Sequence, residues 1–299
     1  MNTIVLGYSG GCASSIAVHW LAETHGANVV TVTVDVGQGR DLGELRGRAL
    51  ARGAVRAHAI DGRDDLAREF LLPSLGSSPR VDGSPMLDEL PRPLIARKLL
   101  EIARIEGTRL VAHGSLDTSL DECILEIDPA VTVLAPAREW GMSAAQIADY
   151  ARARGVPPRD PAEATCRIEQ NLWGRMVSWP DGDPQPASVL PGVSSTSTEP
   201  ARLDIHVERG MPVSVNGVPL SPVELVESLA LIAGRHGVGR LEAGGGGRRV
   251  VYDAPAAVVL QAALAAAGAG GGVVRLSVLN GRCAVLAPHD PNPELVNHA

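Results

Sequence analysis

Thr3-Ile4-Val5-Leu6-Gly7-Tyr8-Ser9-Gly10-Gly11-Cys12-Ala13-Ser14-Ser15 stands nearly at the N-terminus, and its reading decides the fold. The apolar run, with its β-branched residues, has the pattern of a fully buried strand. It stops in Ser9-Gly10-Gly11, and Ser14 or Ser15 is expected to cap a helix that starts with Ile16-Ala17-Val18-His19-Trp20-Leu21. Strand, glycine turn and helix N-terminus together make an anion site. Backbone N–H groups point outwards, the helix dipole adds positive potential, and serine hydroxyls donate further hydrogen bonds. The same residues would also make a tight strand-to-helix turn that holds no ligand.

Outward from this stretch, strands and helices alternate. Val29–Val34 reads as a second buried strand ending at Asp35-Val36-Gly37-Gln38-Gly39, and residues 41–52 as a helix with Asp41 as N-cap. Val55–Ile60 is a third strand and Asp64–Leu72 a short helix. Pro91–Glu106 is a longer helix with a proline in its first turn. Arg109–Ala112 and Val131–Leu134 complete the strands, and Ser143 caps a helix over 144–154. This alternation predicts an α/β fold, a parallel sheet covered on both faces, with ligands beyond the carboxyl ends of the strands. Gly7–Ser15, Asp35–Gly39 and His113–Ser119 should therefore meet on one rim.

From Pro157 the pattern dissolves, and residues 180–200, rich in Pro, Gly and Ser, read as a flexible connection. The expected layout is a nucleotide-binding domain over 1–157, a linker over 158–202 and a smaller α+β domain over 203–299. In the last, Leu203–Val207 and Pro212–Val215 are strands around Glu208-Arg209-Gly210, and a helix starts at Ser221. The Gly244–Gly247 run reads as mobile, a helix covers 254–267, and Asn280-Gly281 turns a final hairpin.

The 299 residues can hold two domains, and 45% hydrophobic with 20% charged residues is ordinary for a soluble globular chain. A net charge of −7 argues against nucleic acid as a partner. Cys12, Cys123, Cys166 and Cys283 are scattered without metal-ligand spacing, so neither a metal framework nor disulfides are expected. No leader pattern and no apolar run of membrane-spanning length is present, which favours a cytoplasmic setting away from membranes.

Several stretches together resemble the argininosuccinate synthase family of ATP-dependent ligases. Tyr8-Ser9-Gly10-Gly11 is similar to the start of its phosphate loop, A-Y-S-G-G-L-D-T-S. Val32–Gln38, Arg92–Lys98, Ala112–Gly114, Pro136–Trp140, Asn171–Arg175, Pro212–Gly217, Gly234–Arg240 and Tyr252–Ala256 follow in the family's order. The resemblance implies a pyrophosphatase-loop nucleotide-binding domain, a C-terminal synthetase domain and a homo-oligomer. It implies ATP with Mg²⁺, held by Gly7, Tyr8, Ser9, Gly10, Gly11, Ser14, Ser15, Val34 and Gly114, and amino-acid-like substrates met by Asp121 and Tyr252.

The chain also departs from the family text. The loop's L-D is Cys12-Ala13, so an acidic residue is gone. Leu116 and Leu120 stand where the family holds aspartate with Thr and Asn, and Ile124 stands where an Arg pairs with a substrate carboxylate. On the citrulline side Asp88-Glu89 replace T-S, Arg167 and Met176 replace serines, and Glu169 replaces an Asp. A stretch of the family before the last hairpin is missing. Ile cannot supply a bidentate guanidinium contact, among the stronger polar interactions. Two readings compete: an adenylylating ligase with altered amino-acid substrates, and a catalytically inactive paralogue that binds a nucleotide or a partner. Sulfur transfer through Cys12 or Cys123 is a third. His113 and His236 read as structural, and Trp20, Trp140 and Trp173 as packing. Asp117, Asp121 and Glu122 form either a carboxylate cluster near Mg²⁺ or a solvated loop.

Overall fold

The computed structural model describes residues 2–75, 89–157, 166–184, 197–245 and 247–286. They fall into two compact units, one from residues 2–62 and 89–157, the other from 63–75, 166–184 and 197–286.

In the first unit β1 (Thr3–Gly7), α1 (Cys12–His25), β2 (Asn28–Asp35), α2 (Leu42–Ala51) and β3 (Arg56–Asp61) come first. They are followed by α3 (Arg92–Ile105), β4 (Leu110–Ala112), α4 (Ser119–Ile127), β5 (Thr132–Leu134), α5 (Pro136–Glu139) and α6 (Ala144–Ala153). The strands form one parallel sheet in the order β3-β2-β1-β4-β5. Ile4, Val5 and Leu6 of the central strand are wholly buried. Ile4 and Leu6 pack with Ala17, Val18 and Leu21 of α1 and Ala49 of α2. On the other face Leu99 of α3 lies 3.5 Å from where a Gly7 Cβ would stand. The α/β architecture expected from the alternation is what the chain builds.

Local signals explain most boundaries. The Asp41 side chain accepts from the Glu44 N–H at 2.7 Å, and Ser143 with Gln146 forms a full capping box. The start of α1 corrects the sequence reading. It begins at Cys12 with Gly11 as N-cap and no side-chain cap, while Ser14 and Ser15 lie inside the first turn. Their hydroxyl and N–H respectively bond back to the Gly11 carbonyl, at 3.1 and 3.0 Å. Gly10 at φ 75° makes the turn by itself, so the helix starts a turn earlier than a serine cap would place it.

The second unit opens with a helical segment, Arg63–Leu66, π-helical Ala67–Leu71 and Leu72–Ser74, where the sequence suggests one short helix in the first domain. β6 (Arg167–Asn171) and β7 (Gly174–Pro180) follow, then β8 (Ala201–Glu208), β9 (Met211–Val215), β10 (Val218–Pro219) and α7 (Pro222–Arg235). β11 (Arg240–Gly245), β12 (Arg248–Asp253), α8 (Pro255–Ala267), β13 (Gly272–Leu279) and β14 (Arg282–Val285) complete it. Two antiparallel-paired sheets result, β11-β12-β7-β6 and β10-β9-β8-β13-β14. Arg63 reaches Glu227 of α7 at 3.6 Å, tying the opening segment to this unit.

Two further corrections concern this unit. The hairpin β6–β7 lies within the stretch read as a linker. Its first strand, Arg-Ile-Glu-Gln-Asn, carries little apolar period, and its pairing with β7 supplies what composition does not. Gly244 and Gly245, read as part of a mobile run, are strand residues paired with Arg249 and Arg248. Residues 158–165 and 185–196 of the expected linker, Gly246 and Asp88 lie outside the described residues. Among the described residues no helix is long and apolar enough to cross a membrane.

Gly174 and Gly47 test this fold in opposite directions. A Cβ at Gly174 would stand 2.2 Å from the Asp253 carbonyl oxygen, whereas one at Gly47, within α2, meets nothing. Gly174→Ala is expected to cost about 3 kcal/mol. Gly47→Ala should gain about 0.5 to 1 kcal/mol by lowering the helix's entropic cost. Urea unfolding midpoints at constant slope measure both.

Candidate functional site

Sheet order singles out one edge of the first unit. β2 and β3 lie to one side of β1, and β4 and β5 to the other, so the chain reverses direction across the sheet between β1 and β4. A crevice at the carboxyl ends of the strands beside such a reversal is where open α/β sheets take ligands. Tyr8 N–H donates to the Val32 carbonyl at 2.8 Å, and the Thr33 hydroxyl donates to the Tyr8 carbonyl at 2.8 Å, fixing the loop's entry to β2. On the β4 side, a Gly114 Cβ would lie 3.9 Å from the Ser14 nitrogen. The loop and the His113–Gly114 turn thus stand side by side, as expected of segments that follow parallel strands.

Within the loop, Gly11 is partly exposed and the first N–H groups of α1 have no side-chain cap. Those N–H groups have no intrahelical acceptors, and they carry the positive end of the helix dipole. The hydroxyls of Ser9 and Ser14 lie 3.2 Å apart, and the Gly11 N–H donates weakly to the Ser9 hydroxyl at 3.5 Å. Ser15 is buried, its hydroxyl 3.1 Å from the buried Tyr8 hydroxyl. Tyr8 and Ser15 therefore brace strand against helix, Gly10 and Ser14 are buried beside them, and Ser9 and Gly11 are the more open residues of the turn. Val34 is buried, and its carbonyl accepts from the Gln38 side-chain amide at 2.9 Å. The Gln38 oxygen accepts the Val36 N–H at 2.6 Å, closing the turn after β2.

The β4 rim is a charge network. His113, with 2% of its side chain exposed, faces Asp121 Oδ1 through Nε2 at 2.5 Å. The Ser115 N–H donates to its Nδ1 at 3.2 Å, so Nδ1 is an acceptor and the proton sits on Nε2. Arg138 donates to Asp121 Oδ2 at 2.5 Å and to the Asp117 carbonyl at 2.6 Å. Arg92 stands 3.5 Å from the Asp117 carboxylate, whose other oxygen accepts from the Ser119 hydroxyl. The Thr118 hydroxyl donates to Glu122 at 3.0 Å. All three carboxylates therefore have local partners. Among the described residues no group of three or more His, Cys, Asp and Glu could hold a metal ion. A Mg²⁺ ion at this edge would depend on nucleotide phosphates and water for most of its ligands.

The altered positions separate sharply. Leu116 is 76% exposed, while Leu120 is buried and Ile124 is wholly so, one turn apart on α4. Ile124 occupies core, and a substrate carboxylate could not reach it without opening that packing. Burial also pushes the Cys123 thiol upward, leaving less of the nucleophilic thiolate that sulfur transfer requires.

The remaining predicted residues lie in the second unit. Met176 sits between Glu169 and Tyr252 across three strands, so the three share one face of that sheet. Met176 and Tyr252 are buried there. Arg167, opposite Ser178, makes an ion pair with Glu169 Oε1. Glu169 Oε2 is buried with no hydrogen-bond partner among the described residues, a feature that sequence reading missed because only packing reveals it. His236 has both ring nitrogens against carbonyl oxygens, of Ile232 at 2.8 Å and Glu199 at 3.2 Å, a structural role.

A glycine loop at the reversal point of a parallel sheet, running into an uncapped helix, has the form of a nucleotide-binding α/β domain. Residues 3–157 match the family described as "Arginosuccinate synthase N-terminal HUP domain", and residues 185–267 match "Arginosuccinate synthase C-terminal domain". The chain belongs to the argininosuccinate synthase family. It is 39% identical over 252 residues to the argininosuccinate synthase of Symbiobacterium thermophilum, covering 80% of this chain and 63% of that one. To that of Dehalococcoides mccartyi it is 36% identical, covering 80% and 62%. To that of a Geobacillus species it is 35% identical, again covering 80% and 62%. The chain thus spans less than two thirds of the length of these relatives.

His113 has a consequence for pH. Burial lowers its pKa from the ordinary imidazole value, against the opposite pull of Asp121. The unfolded chain then binds more protons than the folded one between the two pKa values. The stabilisation is present at neutral pH and lost as pH falls below about 6.5. An NMR titration of the His113 ring should give a midpoint below that of an exposed imidazole. In His113→Gln the acid-side fall of the urea midpoint should be shallower.

Proposed function

We propose that this chain is an ATP-dependent carbon–nitrogen ligase of the argininosuccinate synthase type, acting on amino-acid-like substrates that differ from the family's usual pair. The single observation that carries the nucleotide part is the Ser9–Ser14 turn at the β1/β4 edge, where Ser9 is exposed, Gly11 is partly exposed and the helix that follows has no side-chain cap. A polyphosphate there would be met by backbone N–H groups and the Ser9 and Ser14 hydroxyls, with no carboxylate in the loop itself.

The chemistry this reading assigns is activation of a ureido-type oxygen by the α-phosphorus of ATP, with pyrophosphate leaving. An amine then attacks the activated carbon and AMP departs with that oxygen. No nucleophilic side chain is required, because the protein's task is positioning and charge stabilisation. Ile124, packed in the core at the position of a carboxylate-binding Arg in the family, and Glu169 support altered substrates. A buried carboxylate oxygen without a partner is costly, and a ligand N–H on the Glu169–Met176–Tyr252 face would satisfy it. Such a ligand carries an amine, ureido or guanidino group.

ATP with Mg²⁺ should raise the melting temperature of the chain, and Gly10→Ala should abolish the shift. Gly10 sits at φ 75°, and a Cβ would lie 2.2 Å from Leu45 Cδ2. Pyrophosphate release is then measured with ATP across ureido, guanidino and amine compounds. Turnover on a pair other than citrulline with aspartate supports the reading. ATP binding with silence across the panel favours the nucleotide-binding, non-catalytic paralogue instead, and rapid turnover of citrulline with aspartate overturns the altered-substrate part.

A further inference from the structure

Two arginines outside the loop grip its peptide groups from behind. Arg48 of α2 donates from Nη1 to the Gly10 carbonyl at 3.2 Å, and Arg40, just before α2, donates from Nη1 to the Ser9 carbonyl at 3.4 Å. Leu45, one turn before Arg48 on the same helix face, fills the space against Gly10. Side chains from α2 and the residues before it thus meet the loop at three points, although nothing in the loop's own sequence announces them.

Peptide planarity turns these contacts into a statement about the anion site. There are no cis peptide bonds among the described residues, so each carbonyl points opposite to the N–H of the next residue. Holding the Ser9 carbonyl toward Arg40 turns the Gly10 N–H away from it. Holding the Gly10 carbonyl toward Arg48 does the same for the Gly11 N–H. Gly10 lies in the left-handed region at φ 75°, and Gly11 is extended at φ −76° and ψ 173°. Two glycines in sequence otherwise have the freedom to flip these peptides.

We propose that Arg48, assisted by Arg40, is a positioning residue for polyphosphate binding. It orients the Gly10 and Gly11 amides toward the phosphates by anchoring the carbonyls on the far side of the same peptide groups. This rests on the nucleotide-site reading above. It adds that loop geometry is set by α2, and that affinity depends on a hydrogen bond rather than on net positive charge alone.

Arg46 provides a charge-matched control. It lies on the same helix, but its Nε donates to the Ala57 carbonyl at 3.2 Å, on β3. The experiment measures binding of ATP and of inorganic tripolyphosphate by calorimetry to the full chain and to Arg48→Met, Arg48→Lys and Arg46→Met. The amide resonances of Gly10 and Gly11 are followed alongside. Arg48→Met should weaken both ligands about tenfold, the loss expected when one charged hydrogen bond no longer orients the site. Arg46→Met should leave affinity near that of the parent, and Arg48→Lys should recover part of it. The Gly10 and Gly11 amides should shift on ligand addition in the parent and broaden in free Arg48→Met, while melting temperatures of all variants stay close. Equal affinities for the parent, Arg48→Met and Arg46→Met would overturn the inference while leaving the nucleotide site standing. Equal losses in Arg48→Met and Arg46→Met would reduce the effect to charge and overturn it as well. If the unaltered chain binds neither probe, the nucleotide site and this inference fall together.

Discussion

The parallel pairing of β1 with β2 on one side and β4 on the other is the constraint on which the first unit depends. It sends Tyr8, the Asp35 turn and His113 out of the sheet at the same edge. It also puts the reversal of chain direction beside the glycine loop. Wholly buried Ile4, Val5 and Leu6 hold that strand in place. The loop holds hydrogen bonds among Tyr8, Ser9, Gly11, Ser14 and Ser15, and it is also met from outside by Thr33 of β2 and by Leu45 and Arg48 of α2.

Around this edge, polar groups answer one another rather than wait for a ligand. Asp121 has one oxygen on His113 and the other on Arg138. Keeping a buried imidazole neutral beside a carboxylate that is itself paired with a guanidinium avoids the cost of a lone charge in a low-dielectric setting. Asp121 was expected from the resemblance to meet substrate. In the structure its first role is to fix the β4 rim, and a substrate contact there would be an additional one.

The second unit carries the opposite situation. Glu169 has one oxygen paired with Arg167 and one buried without a partner, while Met176 and Tyr252 beside it are closely packed. The rim of the first unit is thus satisfied among its own groups, whereas the second unit holds a buried carboxylate oxygen with no hydrogen-bond partner among the described residues.

The sequence by itself determined the β–α alternation, most helix starts, the glycine loop and the set of motifs that mark the family. These are signals of local periodicity, capping and turn chemistry, and Asp41, Ser143 and Asn280-Gly281 act as their residue types require. It also exposed the replacements at Leu116, Leu120, Ile124 and Met176, because residue identity needs no coordinates. The coordinates were needed to place the start of α1, which begins at Cys12 without a side-chain cap. Only the tertiary structure decided the β6–β7 hairpin and the strand pairing of Gly244 and Gly245, which depend on partners distant in sequence. The grip of Arg40 and Arg48 on the loop and the orphaned oxygen of Glu169 belong to the same class. Each depends on which groups meet across the fold, and no local pattern in the chain encodes such a meeting.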